Sequence, residues 1–191
     1  AGFYELSSGM DSGVSPSLIQ DNQYSFGVNV TSRKGFSRTR PKFRQIQLNW
    51  QGDADAADWF NSHPITGQSY YSTLNGQQLL VCCSGGRFYS FRINGNQATV
   101  FEITPSSGRM SENHSTVWFC QAAQYLVAQD GVHLAFIFDG SQGRYANPNG
   151  VDPDTGEPIP EVPTGKQMAY INYRLFVTLP NGREIAAGDI A

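Results

Sequence analysis

The segment with the clearest chemical character is a basic strip at residues 33–44, RKGFSRTRPKFR. Six cations within twelve residues are interleaved with two phenylalanines. Such a strip can follow the phosphates of DNA, because bound Lys and Arg release condensed counterions. It can also dock on an acidic protein surface, or lie solvated. We expect a protein interface, with DNA contact as an alternative. The predicted contact residues are Arg33, Lys34, Phe36, Arg38, Arg40, Lys42, Phe43 and Arg44.

The three histidines do not suggest catalysis. His63, His114 and His133 share no motif, and the sequence contains no HExxH, GxSxG or P-loop pattern. His133 falls in a predicted strand among apolar neighbours, where a structural position is expected. We therefore expect no catalytic residue and no enzymatic activity.

Two acidic segments have the residue types of a metal site without its spacing. Residues 152–157, DPDTGE, resemble the start of a calcium loop, which needs oxygen ligands at alternate positions and a Gly for the turn. The Glu expected at the twelfth position is missing, so a solvated loop is the better interpretation. Asp53, Asp55 and Asp58 are explained by an acidic helix N-terminus. We expect no metal and no cofactor.

Composition indicates an all-β protein in which charge is unevenly distributed. The 191 residues include 20 Gly, 10 Pro, 12 Phe and 9 Tyr, which favours strands and turns. Residues 1–52 hold six bases and three acids, a balance of +3, and residues 53–191 hold seven bases and thirteen acids, a balance of −6. A basic arm thus precedes an acidic body.

The cysteines and the apolar segments indicate the cellular compartment in which the protein is made. Cys82 and Cys83 are adjacent, so they should point to opposite faces of a strand and cannot easily bridge. With Cys120 they form neither a metal spacing nor a disulfide framework, and cytoplasmic synthesis is expected. The first thirty residues lack the apolar core of a signal peptide. No apolar stretch reaches the roughly 18–20 residues of a membrane helix, so no membrane partner is expected.

One short helix is predicted, in residues 51–63. Asp53 is a suitable N-cap, the run Ala-Asp-Ala-Ala favours helix, and His63-Pro64 should end it. The remainder of the body is expected to consist of strands and turns.

Strand and turn patterns repeat along the body. Residues 79–83 form one predicted strand, 84–86 a tight turn, and 87–93 the returning strand. The same order returns at 125–138 and at 174–186, at intervals of about 46 and 49 residues. A repeat of short strands every 40–50 residues is the signature of a β-propeller. A β-sandwich with similar hairpins is the alternative.

The predicted organisation is an extended N-terminal docking arm at 1–50 followed by the first blades of a β-propeller-like body at 51–191. Residues 145–165 contain five prolines and are predicted to be a surface loop or extended arm without regular structure. A propeller needs at least four blades, and the sequence holds two units and the start of a third. We therefore expect a portion of a longer polypeptide, or one piece of an assembly that completes the sheet from another chain.

Residues 9–43 resemble the N-terminal signature of a virion protein family. The family comprises the tail nozzle (tail tubular) and packaged-DNA stabilisation proteins of short-tailed double-stranded-DNA bacteriophages. The shared features are a Gly-rich start, a Pro-containing step similar to SLI-x-DNQ, an Asn-Val pair, a Gly-aromatic pair and R-P-x-F. The positions that carry them are Gly13, Pro16, Leu18, Ile19, Asp21, Asn22, Gln23, Asn29, Val30, Gly35, Phe36, Arg40, Pro41 and Phe43.

This resemblance implies a β-propeller body in a six-fold ring below the portal and adaptor, although members of the family are longer than this chain. The function it implies is that of a structural virion protein, a tail nozzle or hub subunit that helps retain packaged DNA and pass it during ejection. The implied partners are neighbouring copies in a hexamer, the portal or adaptor, other tail proteins and passing double-stranded DNA. The alternatives are a portal-adjacent adaptor or capsid-associated protein and, in another class, a glycan-binding or glycan-cleaving β-propeller protein.

Overall fold

In a computed structural model of the chain, the structure describes residues 30–33, 36–39, 44–112, 116–151, 156 and 158–189. The chain divides into two compact units, Ala1–Gln45 and Ile46–Ala191. Strands form nearly all of the regular secondary structure in the described residues, which contain one helix, so the prediction of an all-β protein is confirmed.

A β-hairpin lies in the first unit, within the segment predicted to be an extended arm. Its strands are β1 (Val30–Arg33) and β2 (Phe36–Thr39), which pair antiparallel. Residues 30–33 and 36–39 of the predicted extended arm therefore pair with each other.

The helix of the described residues is α1 (Ala54–Ser62). The Oδ1 atom of Asp53 caps it by accepting a hydrogen bond from the backbone N–H of Ala56 at 3.0 Å. His63 has an extended backbone at the other end, because a residue before proline is disfavoured in the helical region. The predicted helix, its cap and its end are confirmed.

The first sheet of the second unit has five strands, of which four form an antiparallel meander. They are β3 (Gln47–Asn49), β4 (Ile65–Ser72), β5 (Gln78–Ser84), β6 (Arg87–Asn94) and β7 (Gln97–Glu102). Their order across the sheet is β3-β7-β6-β5-β4, and β3 pairs parallel with β7. The turn between β5 and β6 requires glycine at Gly86, where φ is 77° and an added Cβ would lie 2.2 Å from the carbonyl oxygen of Met110.

The second sheet is a four-stranded antiparallel meander of order β11-β10-β9-β8. Its strands are β8 (Trp118–Ala122), β9 (Tyr125–Gln129), β10 (Phe136–Phe138) and β11 (Gly143–Tyr145). A two-residue ladder of β12 (Gly150–Val151) and β13 (Pro158–Ile159) follows. The third sheet has the order β14-β15-β16, with β14 (Met168–Ile171), β15 (Arg174–Thr178) and β16 (Ile185–Asp189).

The three sheets are stacked through their apolar faces. The first and second sheets meet at Phe88 and Phe136, whose parallel rings have centroids 3.8 Å apart. The second and third sheets share a core in which Ile137 packs with Leu175 and Val177. On its other side the first sheet is covered by α1. The first strands of the three antiparallel meanders are β4, β8 and β14, and β8 lies next to both of the others.

The proline-rich segment 145–165 differs from the surface loop that was predicted. It contains the β12–β13 ladder, in which Val151 pairs with Pro158. A proline is tolerated there because a two-residue ladder needs few donors. Val162 is buried in the core between the second and third sheets. The segment therefore leaves the second sheet, forms a short hairpin and returns to the core.

Candidate functional surfaces

The basic strip is only partly within the described residues. Arg33 lies at the end of β1 opposite Phe36, and Arg38 lies in β2 opposite Thr31. Directly opposed positions of an antiparallel ladder belong to the same face, and so do positions two residues apart. The register thus assigns three positions of the strip to one face of the hairpin. Arg44 is exposed, and Lys34, Arg40, Lys42 and Phe43 lie outside the described residues.

In the second unit, charged side chains gather around the indole ring of Trp59. The guanidinium carbons of Arg87 and Arg109 lie 4.2 and 4.1 Å from the ring centroid. The ring of His63 is stacked on Trp59 with its centroid 4.1 Å away. We call this group, with its carboxylates, the Trp59 cluster: Asp55, Trp59, His63, Arg87, Glu102, Arg109 and Glu112.

The cations of the Trp59 cluster already have anionic partners. Arg87 contacts Asp55 at 2.7 Å and Glu102 at 3.3 Å, while Glu112 contacts both Arg109 and His63. Burial lowers the pKa of Arg87, but the two carboxylates outweigh it and the pKa is raised. Since its charges are compensated internally, the cluster attaches α1 to the first sheet rather than presenting a cationic site.

His133 is held by an aspartate rather than placed in a strand. Its Nδ1 atom lies 2.6 Å from Oδ2 of the buried Asp130, and Oδ1 of Asp130 accepts the backbone N–H groups of Val132 and His133. Burial raises the pKa of Asp130, but these hydrogen bonds outweigh it and the pKa is lowered. The prediction that this strand starts at residue 132 is wrong, since β10 begins at Phe136. The hydrogen bonds to Asp130 hold Val132 and His133 in a turn instead.

The remaining two histidines have no described catalytic arrangement. His63 contacts Trp59 and Glu112 as part of the helix attachment. His114 lies outside the described residues, as do the aspartates of the predicted calcium-like loop. Among the residues that the structure describes, no group of three or more His, Cys, Asp or Glu could hold a metal ion.

A glutamine joins strands β4 and β8 of two neighbouring sheets. The side-chain amide of Gln121 in β8 donates to the carbonyl oxygen of Ser72 in β4 at 2.8 Å, and its oxygen accepts the backbone N–H of Ser72 at 3.0 Å. The side-chain amide of Gln121 therefore makes with Ser72 the two hydrogen bonds that a residue of a neighbouring strand would make at this edge of the first sheet. Sequence reasoning missed this role, because a single glutamine in a strand carries no signal of its distant partner.

An ion pair fastens the proline-rich segment. Arg144 donates to both carboxylate oxygens of Glu161, at 2.7 and 2.6 Å, and Glu161 also accepts the backbone N–H of Asn147 at 2.9 Å. The bonds from Arg144 lower the pKa of Glu161, burial opposes them, and the Asn147 bond adds to the lowering. This two-pronged geometry is the strongest form of an Arg–carboxylate contact.

A cleft of about 340 Å³ lies between the first and second sheets. Its cation, Arg92, contacts the amide of Gln77 and lies over the ring of Phe101, at 5.9 Å from the centroid. The lining residues are Leu79, Ser90, Arg92, Phe101, Glu102, Ile103, Phe138, Gly140 and Ser141. These lining residues are a mixture of apolar, polar and charged types that does not point to one reaction.

The cysteines are free thiols in two different cores. Cys83 faces the second sheet and Cys82 faces α1, which confirms that they point to opposite faces. Burial raises the pKa of Cys82 to about 12 and that of Cys83 to about 11. A protonated thiol is a poor nucleophile and metal ligand, so both are structural.

The fold and these surfaces define an all-β protein of stacked meanders with a basic N-terminal hairpin. No helix in the described part of the chain is long and apolar enough to cross a membrane. Comparisons with protein-family models, curated proteins and solved structures found no match.

Proposed function

We propose that the chain is a structural virion protein, a subunit of the tail nozzle or hub through which a tailed phage retains and ejects DNA. The observation that carries the proposal is the succession of antiparallel meanders whose first strands, β4, β8 and β14, lie side by side. A propeller-like body, in which blades succeed one another around an axis, has this arrangement. The resemblance of residues 9–43 to nozzle proteins is the second support.

A body of this kind acts through its geometry. Stacked sheets give a stiff wall, because each shares a packed core with the next. The balance of −6 in residues 53–191 suits a channel for DNA, since like charges keep the duplex from adhering. The protein needs no covalent step for this work.

The basic strip is the proposed contact with a neighbouring part of the tail. Arg33 and Arg38 belong to one face of the hairpin, and Arg44 is exposed. The acidic body of a neighbouring copy offers the opposite charge, which favours a protein neighbour over DNA.

The location of the chain in purified virions tests the function. Antibodies against the chain, labelled with gold, should bind at the tail, and averaged images should place the label on a ring there. Label at the portal vertex would assign the chain to the adaptor instead. Label scattered over the capsid, or no label on particles, would contradict the proposal.

The role of the basic strip is tested by charge reversal. The double variant Arg38→Glu, Arg44→Glu should be incorporated into particles about tenfold less than the unmodified chain, equivalent to about 1.4 kcal/mol of binding free energy. Incorporation is measured by quantitative mass spectrometry of purified virions. Arg183→Glu, at an exposed position of the second unit, is the matched control and should be incorporated normally. Equal loss for both variants would show that the strip has no special role.

A further inference from the structure

The second sheet covers only part of the face that the first sheet turns towards it. Val81, Ser90 and Phe101 form one row across this face, since they are directly opposed in the register. Val81 is buried in the core that the two sheets share, whereas Phe101, at the other end of the row, is 43% exposed. The part of the face that remains open forms one wall of the cleft of about 340 Å³.

Ser90 places a hydroxyl on the inner wall of this cleft. The residue is only 6% exposed, and it lies on the same face of β6 as Phe88, which packs against the second sheet. Its side chain forms no hydrogen bond with any other residue that the structure describes. Since a buried hydroxyl without a partner costs stability, its position on a cleft wall indicates a role towards a molecule that enters the cleft.

Arg92 places a cation at the open side of the cleft. It follows Ser90 by two residues in β6, so both side chains belong to the same face of the strand. Arg87 and Arg144 are each held by a carboxylate. Arg92 is exposed, and its described polar partner is instead the neutral amide of Gln77. Within the described residues, its charge is therefore not balanced by a carboxylate.

The two carboxylates closest to the cleft in the sequence are engaged in other contacts. Glu102 lies opposite Tyr89 in the register, on the face that α1 covers, and its carboxylate contacts Arg87. Asp139 precedes the turn that borders the cleft. Its Oδ1 atom accepts the backbone N–H groups of Ser141 and of the following residue, both at 2.7 Å. Neither carboxylate takes the place of an anionic partner for Arg92.

The other side chains of the cleft are mostly apolar. Leu79, Phe101 and Ile103 line it from the first sheet, and Phe138 lines it from the second. The cleft thus combines one cation, one buried hydroxyl and aromatic walls. Its volume lies at the lower end of the range for ligand clefts, which is roughly 300–1,000 Å³.

We propose that this cleft binds a carboxylate carried on a small apolar or aromatic group. The guanidinium of Arg92 donates N–H groups to the carboxylate oxygens, and the hydroxyl of Ser90 supplies a further hydrogen bond. The apolar group lies against Leu79, Phe101 and Phe138, where its burial removes apolar area from water. A singly charged carboxylate is favoured over a phosphate, because one cation faces the ligand. This binding goes beyond the proposed role in the virion and does not depend on it.

Titration of the full chain with phenylacetate, followed by nuclear magnetic resonance, tests the proposal. Phenylacetate carries a carboxylate next to an aromatic ring, and phenylacetamide is its uncharged counterpart. Phenylacetate should shift the backbone amide signals of Ser90, Arg92 and Ser141 until they saturate, and the curve gives the dissociation constant. Phenylacetamide should cause no saturable shift, because it offers no anion to Arg92.

Two substitutions separate the roles of the polar side chains. Arg92→Gln should weaken binding of phenylacetate about tenfold or more, because a hydrogen bond between charged groups is lost. Ser90→Ala should weaken it about threefold. The urea midpoint of Ser90→Ala should equal or exceed that of the unmodified chain, since a buried hydroxyl is removed, whereas a purely structural role would lower it. Arg183→Gln removes the same charge at an exposed position outside the cleft and should bind normally.

A peptide probe distinguishes the source of the carboxylate. Acetylglycylphenylalanine ends in a free carboxylate beside an aromatic side chain. Tighter binding than that of phenylacetate would identify a peptide C-terminus as the ligand, and weaker binding would identify a free small acid. The absence of saturable shifts with both probes would overturn the proposal. So would equal binding of phenylacetamide and phenylacetate, or an unchanged dissociation constant in Arg92→Gln.

Discussion

At the residue scale, the described charges serve mainly to join distant segments. Trp59 receives two arginines and a histidine, and the carboxylates that balance them come from α1, β7 and the loop after it. Exposed ion pairs individually contribute little to stability. An aromatic ring stacked with several cations contributes through both apolar burial and cation–π attraction. The Trp59 cluster is thus best understood as the attachment of the helix.

The Arg144–Glu161 pair gives a pH dependence with a definite sign. Because the pKa of Glu161 in the folded chain lies below its usual 4.5, the ionised carboxylate stabilises the fold above that pH. This contribution is lost as the pH falls through the folded pKa. We expect the urea midpoint of the unmodified chain to exceed that of Glu161→Gln near neutral pH, and the difference to shrink as the pH falls below 4.5 and through the lowered pKa of Glu161.

Urea unfolding, followed by fluorescence at several pH values, measures this difference. Glu184→Gln removes a carboxylate at an exposed position outside the ion pair and serves as the control. A difference between Glu161→Gln and the unmodified chain that does not change with pH would show that the charge of Glu161 is not responsible.

At the element scale, α1 acts as the cover of the first sheet. It closes a core that contains Cys82, Tyr89 and Phe91, and its start depends on one local hydrogen bond, which the backbone N–H of Ala56 donates to Asp53. A helix of nine residues is too short to be stable alone, so packing against the sheet maintains it.

Removal of the cap should therefore weaken this cover. Asp53→Ala is expected to lower the free energy of unfolding by about 1 kcal/mol, because the backbone N–H of Ala56 loses its acceptor. Chemical unfolding followed by tryptophan fluorescence reports the change. Asp53→Asn keeps an oxygen acceptor at the same position and should stay near the stability of the unmodified chain. Equal losses in the two variants would mean that charge, rather than the hydrogen bond, is what matters.

At the scale of the whole second unit, the sheets are joined by shared cores. Phe136 is fully buried and stacks on Phe88, so it belongs to both the first and the second sheet. Gln121 adds a polar link between the first strands of the same two sheets. Because these residues contact both sheets, we expect the two sheets to unfold together.

Phe136→Ala tests this coupling. The truncation should lower the free energy of unfolding by about 3–5 kcal/mol, because a buried ring is replaced by a cavity. Phe101→Ala, at a position 43% exposed, should cost less than about 1 kcal/mol. Hydrogen exchange read by mass spectrometry should show faster exchange in both sheets of the Phe136→Ala variant. Faster exchange confined to the second sheet would contradict the coupling.

The sequence by itself determined the features that depend on neighbouring residues. Asp53 and Pro64 predict the start and end of α1, and Gly85-Gly86 predicts a turn, because caps and turns are set within a few residues. Because successive side chains of a strand point to opposite faces, the sequence likewise predicted that Cys82 and Cys83 lie on opposite faces of their strand. Asp130 shows the limit, since its side chain closes a turn where an apolar run predicts a strand.

Only the tertiary structure decided which of these elements meet. Arg87 and Arg109 reach the ring of Trp59 because the fold brings β6 and the loop after β7 next to α1. Gln121 reaches Ser72 across 49 residues for the same reason. Register and stacking are properties of whole sheets, and the free energy that selects them is spread over many small apolar contacts. No short stretch of sequence carries that information. The basic strip was therefore visible from residue types, whereas the Trp59 cluster was not.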